Sequence, residues 1–172
     1  EGTSYPKAAI SSILNSNNAN GPSINFAKSR GTSNGTSTVV QNNDILGLIA
    51  FSGGDGTDIR TMGARIQASV DGTPGANDMP GRPMFSTTAD GASSPTERLR
   101  IDSSGNLTAY SGSTNGNYFV IRGKHSPGNE YNRSEVRFGV ENNANGLGFL
   151  AFATGNNTAS ERLRIDSSGK VG

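Results

Sequence analysis

Gly, Ser, Thr and Asn supply 79 of the 172 residues, and the apolar set is only 31%, against roughly 45–50% in an average globular chain. Such a composition excludes a thick single core and favours short strands joined by turns, with thin layers that gain burial against neighbouring subunits. A net charge of +1 gives no electrostatic footprint for nucleic acid or an anionic membrane, and the lack of cysteine removes disulfides and thiolate metal sites.

Low net charge and regularly spaced apolar clusters also argue against disorder along the whole chain. The longest nearly apolar run, Ile45 to Phe51, is too short to span a bilayer, and no basic-then-apolar signal peptide opens the sequence. Its first residue is Glu1 rather than Met, so processing or a longer parent chain is expected.

Residues 1–21 differ in texture from the rest. Ala8–Leu14 is a short alternating stretch, and Asn15–Asn20 a polar run, so this region is expected to be an arm. Ala8, Ile10, Ile13 and Leu14 are its candidate assembly contacts. Further on, strands are expected at Ile24–Lys28, Ile45–Phe51, Ala64–Val70, Arg82–Thr88, Tyr118–Arg122, Glu135–Val140 and Leu147–Ala153, with Gly, Asn and Ser turns between them. No segment has a helical period.

The strongest feature is internal. Glu97-Arg-Leu-Arg-Ile-Asp-Ser-Ser-Gly105 recurs letter for letter as Glu161–Gly169. Leu99 and Ile101, like Leu163 and Ile165, alternate with arginines in the period-2 pattern of a half-buried strand, and are expected to face in while the arginines face out. Asp-Ser-Ser-Gly then supplies a type I turn with a bulge, Gly taking positive φ. Upstream of each copy the order is strand, loop, strand, loop. Matching Val70 to Val140, Phe85 to Phe152 and Glu97 to Glu161 needs only short loop deletions. The rival match of Gly47–Phe51 to Gly148–Phe152 needs a large insertion, so a β-meander used twice is preferred. That divides the chain into an arm at 1–21, a repeat unit at 22–110 and a second at 111–172.

Matches to catalytic motifs are those the composition produces freely. Gly31-Thr-Ser-Asn-Gly35 fits the nucleophile elbow, which needs a strand-to-helix turn with a histidine and an acid; the sole histidine, His125, stands in a Gly/Pro/Asn-flanked stretch expected to be a loop. Ser4-Tyr-Pro-Lys7 fits Ser-x-x-Lys without its companion motifs. Gly53-Gly-Asp-Gly-Thr-Asp58 copies the start of a calcium-binding repeat once, with Arg60 where an apolar residue belongs. A turn outweighs a lone calcium site there; Asp55 and Asp58 are its weak candidate ligands.

Glu97 and Glu161 are expected to pair with nearby arginines rather than act as glycosidase acids. Arg98, Arg100, Arg162 and Arg164 fit a solvated face or cross-strand ion pairs better than an anion site. Asn34, Asn106, Asn132 and Asn156 satisfy the glycosylation pattern at the frequency chance predicts. Without Trp, and with Tyr5, Tyr110, Tyr118 and Tyr131 as the tyrosines, a sugar-binding role is a minor reading.

The two Glu-Arg-Leu-Arg-Ile-Asp-Ser-Ser-Gly copies, with Asp71–Arg82 and Phe85–Thr96, resemble repeats in tail-fibre and related structural proteins of aquatic phages and bacteria, over roughly residues 20–172. The resemblance implies a β-rich, commonly homotrimeric shaft or adhesin-like module, followed in that family by a chaperone or receptor-binding tip. The expectation is therefore an all-β protein of antiparallel meander or sandwich-like repeats, assembling with copies of itself into a virion or extracellular fibre. It is expected to be non-enzymatic and without cofactor, nucleic acid or membrane partner. The alternatives are a self-polymerising filament joined by N-terminal strand donation, and a module that binds surface glycans.

Overall fold

A computed structural model describes residues 10–110, 118–126, 129–142, 147–155 and 160–172, with the backbone alone at 118, 123–126, 129–133, 140–142 and 147. The fold is all-β. The first antiparallel sheet is a meander of β1 (Ile45–Ser52), β2 (Met62–Val70), β3 (Gly81–Thr87), β4 (Thr96–Ile101) and β5 (Leu107–Ala109). The second runs β6 (Tyr118–Ser126), β7 (Asn129–Asn142), β8 (Leu147–Gly155) and β9 (Ser160–Ile165), again each beside the next.

The registers of the two sheets coincide. Ile66 pairs with Phe85 and Phe85 with Leu99; Val136 pairs with Phe152 and Phe152 with Leu163. The preferred match of Phe85 to Phe152 thus agrees with the ladder positions. Each repeated peptide closes the same turn. Gly105, at φ +84°, donates its amide to the Asp102 carbonyl, and Asp102 donates to Asn106; Gly169, at φ +80°, donates to Asp166, and Asp166 to Lys170. The Asp102 carboxylate accepts the amides of Ser104 and Asn106, and that of Asp166 accepts those of Ser168 and Lys170. Glycine is needed at the last turn position because a Cβ is disfavoured in the left-handed region.

Two expected elements differ. Ile24–Lys28 forms no strand; this segment instead lies against the end of β1, with Phe26 over Gly47. Its neighbour Arg30 is tied to Asp44 by an ion pair of 2.6 Å and donates its amide to Thr38. The stretch around His125, expected to be a loop, is the end of β6, whose Ser126 pairs with Asn129 of β7. Small turn-forming residues there do not prevent pairing between two long neighbouring strands.

The facing expected of the repeated peptide is also inverted in the single chain. Leu99 shares a sheet face with Ile66 and Phe85, and that face is the open one: Phe85 and Ile101 are each 42% exposed. Arg100 lies across from Met84 on the other face, which is the better covered, with Met84 7% and Ser86 3% exposed. A bulge explains how Glu97 and Arg100 come to share that face. The register slips between Phe85 and Ser86, so Ser86 pairs with Glu97 and Arg98 is left over. The same slip between Phe152 and Ala153 leaves Arg162 over in the second sheet.

Candidate functional site

Antiparallel partners carry their side chains on one face, so the ladders define two surfaces per sheet. The apolar surface of the first sheet carries Ile49, Ile66, Phe85, Leu99, Ile101 and Leu107. The matching positions of the second carry Ile121, Val136, Phe152, Leu163, Ile165 and Val171. Within the chain these surfaces stay open: Leu107 is 66% exposed, Ile121 57% and Val171 59%. Covering a side chain of this size stabilises by roughly 1.5–3 kcal/mol when complete, so each half-open residue offers about 1 kcal/mol to a partner. A groove of about 600 Å³ is bordered by Leu107 and Ala109 of the first sheet and by Phe119, Ile121 and Phe138 of the second, so the two apolar surfaces adjoin.

The opposite face of the second sheet is a charge ladder laid over Ala151 and Ala153, both essentially buried. Glu135, its side chain 1% exposed, accepts from Arg122 Nε at 2.6 Å and from Arg137 Nε at 2.8 Å. Arg164 forks onto Glu161 with both contacts at 2.7 Å, and its guanidinium sits 3.9 Å from the Phe149 ring centroid. Burial pushes the Glu135 carboxyl up, but the hydrogen bonds from Arg137 and Arg122 outweigh it and leave it below its ordinary value. The hydrogen bond from Arg164 lowers Glu161.

In the first sheet the same face is only partly charged. Arg100 pairs with Glu97, its Nη2 donating to Oε2 at 2.9 Å, and lies over the Tyr110 ring. Gln67 donates to the Ser69 hydroxyl at 2.9 Å. Arg65 occupies the position of Glu135 yet keeps its Nε buried without a hydrogen-bond partner. The expected pairing of Glu97 and Glu161 with arginines is what the geometry shows, and Arg98 and Arg162 donate to Thr87 and Thr154.

The calcium candidates form a turn. Asp55 accepts from the amides of Thr57 and Asp58 and from the Thr61 hydroxyl, contacts led by Thr61 that hold its pKa at about 2; Asp58 accepts from the Arg60 amide. Among the described residues no three metal-ligating side chains converge. The Gly31–Gly35 stretch is a turn in which Ser33 accepts from Thr36, with no helix among the described residues behind it.

Asn34 is exposed in that turn, Asn106 donates its side-chain amide to Asp102, Asn132 lies in β7, and Asn156 is outside the described residues. So are Ser4–Lys7, Tyr5 and Ala8. Tyr118 and Tyr131 are described as backbone in β6 and β7. The rest of the arm is bare, with Ile10 99%, Ile13 80% and Leu14 47% exposed.

The structure groups Leu99 with Ile101 and Leu163 with Ile165, as their alternation requires, and adds Ile49, Ile66, Phe85, Ile121 and Phe152, which the sequence marks only as strand residues. Alternation along β2, β3, β7 and β8 carried the signal, but not which face would stay open.

No family model and no curated protein matches the chain. Among solved structures the chain is similar in shape to the carboxy-terminal domain of the bacteriophage T5 L-shaped tail fibre, at 11% identity and a TM-score of 0.46, over 95% of this chain and 90% of that one. The same T5 domain with its intramolecular chaperone domain matches at 12% identity and a TM-score of 0.47, over 95% of this chain, which spans 62% of that longer one.

Proposed function

We propose that this chain is a non-enzymatic structural subunit of a homo-oligomeric virion or extracellular fibre. It acts as a shaft module, with repeat units at 22–110 and 111–172 behind an arm at 1–21, and copies pack around an axis as a trimer. The observation that carries this reading is the pair of open apolar faces at matching positions of the two sheets. A surface with several half-exposed large apolar side chains in register marks a packing site rather than a solvated wall. Using one peptide twice gives each copy two surfaces of the same character, one on each sheet. Sedimentation velocity with negative-stain electron microscopy tests it: a discrete species of three chains is expected, and a monomer at all micromolar concentrations overturns the reading.

A second reading rests on the bare arm, whose Ile10 and Ile13 are almost fully exposed. In it the Ala8–Leu14 stretch adds as a strand to a sheet edge of the next copy, a head-to-tail contact that yields open filaments. Deleting residues 1–20 would then leave a short soluble oligomer; long filaments that survive the deletion contradict strand donation.

A further inference from the structure

The two apolar faces match in the row of Ile49, Ile66, Phe85 and Leu99, differ at one margin, where Phe51 stands in the place of Gly123, and differ most in the row on the other side. In the second sheet that row reads Phe119, Phe138, Leu150, Ile165 and Val171 across the strands, with the two phenyl rings stacked at 6.1 Å between centroids. The corresponding row of the first sheet reads Gly47, Ala68, Pro83, Ile101 and Leu107. Pro83 is one residue before Met84 on β3, which pairs with Arg100, and so stands on the same face as Ile101. Three bulky residues are thus replaced by three small or short ones, leaving a trough at the β1 side of the sheet.

The chain fills that trough from elsewhere. A Cβ built on Gly47 would run into Phe26 Cβ, and would lie 2.8 Å from its Cγ and 3.3 Å from its Cδ2. Phe26 therefore begins where a side chain on Gly47 would begin, the position Phe119 holds in the second sheet. Ile24 borders the same trough. Glycine at 47 is required by this close approach and not by its backbone angle.

We propose that Phe26 is the first sheet's substitute for Phe119, and that the face it completes docks on the apolar face of a second copy of this chain. This rests on the fibre-subunit reading above and names its contact surface. The occupant is argued from character and continuity. The row that Phe26 completes carries no charge; Arg98 and Arg162 reach this side only at its far margin, where they donate to Thr87 and Thr154, and Glu135, Glu161 and Arg100 are engaged by partners on the opposite faces. An anionic partner would find only those two arginines, away from the row in question, so an apolar surface is what suits that row. A matching uncharged surface is present on each sheet of every copy, and the two already border one groove. Phe26, itself 53% exposed, is covered on the sheet side and presents its remaining surface outward with the rest of the row.

The test compares self-association of the full chain by sedimentation with Phe26→Gly, Phe119→Gly and the double variant Phe26→Gly/Gly47→Phe, with folding followed by circular dichroism. Glycine is chosen at 26 because alanine would keep the atom that collides with a side chain on residue 47. Phe26→Gly and Phe119→Gly are each expected to weaken association about tenfold, and the double variant, with a ring restored from the strand, to recover to within about threefold of the parent. A parent chain that does not associate overturns the fibre-subunit reading itself. With an associating parent, unchanged association of Phe26→Gly, or a double variant that stays dissociated whether folded or not, overturns this inference alone.

Discussion

The first and second sheets share strand order, register, the leftover arginine of the bulge and the glycine-closed turn, yet their better-covered faces have diverged. The second sheet carries Arg122, Glu135, Arg137, Glu161 and Arg164 as one ladder, whereas the first has Arg65, Gln67, Ser69, Met84 and Ser86 between two separate pairs, Arg100–Glu97 and Arg82–Asp71. The apolar faces are alike in the row of Ile49, Ile66, Phe85 and Leu99 and its counterpart, and in the next row Phe26 stands in for a missing ring. The open side keeps its apolar character in both sheets while the covered side does not keep its charges, and that constancy of character is what packing between copies would require.

The largest effect is expected from placing a charge on that constant surface. Leu163→Asp and its counterpart Leu99→Asp should each weaken self-association about a hundredfold or more, since a buried unpaired carboxylate is costly. Sedimentation would show it, and a large loss from one substitution with none from the other would mean that only one sheet docks.

The diverged faces should respond unequally. Glu135→Ala takes the shared carboxylate from Arg122 and Arg137 and is expected to destabilise by about 3 kcal/mol in denaturant unfolding, towards the low end for a broken buried pair because Arg122 is 36% exposed and Arg137 keeps Glu161 at 3.9 Å. The turns, being alike, should respond alike. Gly105→Ala and Gly169→Ala force a Cβ into the left-handed region at φ +84° and +80°, at about 1–2 kcal/mol each.

Acid should loosen the charge ladder of the second sheet. Glu135 and Glu161 have folded pKa values below their ordinary value of 4.5, so their contribution is complete above that value and is lost as pH falls through the folded values. The Asp102 and Asp166 carboxyls of the two turns are also held low, one in each sheet, by hydrogen bonds led by Asn106 and Ser168. Amide exchange corrected for intrinsic rates should therefore show β7–β9 loosening as pH falls below about 4.5. The smallest change is expected at Arg65→Met, within about 1 kcal/mol of the parent, because the guanidinium Nε it removes has no hydrogen-bond partner to lose.

Much of this architecture was legible in the residues. The exact repeat at 97–105 and 161–169 located two hairpins and their turns, and alternation at Leu99–Ile101 placed the apolar pair on one side. Three things were not legible, each for a physical reason. A bulge residue looks like any other strand residue, so nothing in Arg98 or Arg162 announced that Glu97 would join Arg100 on one face. Which face stays open is decided by how long arginines fold over short residues such as Ala151 and Ala153, a matter of side-chain cover rather than period. Finally, Ile24–Lys28 has strand-like residues but contributes one ring to a neighbouring sheet, a long-range fit that Phe26 and Gly47 do not reveal separately.

The most direct test of the central claim, that copies of this chain cover the apolar faces, uses the absence of cysteine from the sequence. A single thiol introduced by Ile121→Cys, on the open face, is compared with one introduced by Ser167→Cys in the exposed turn, each in the assembled protein and after dissociation. Maleimide labelling should be slow at 121 in the assembly, recover on dissociation, and be fast at 167 in both states. Equal labelling of 121 and 167 in the assembled protein would contradict the account.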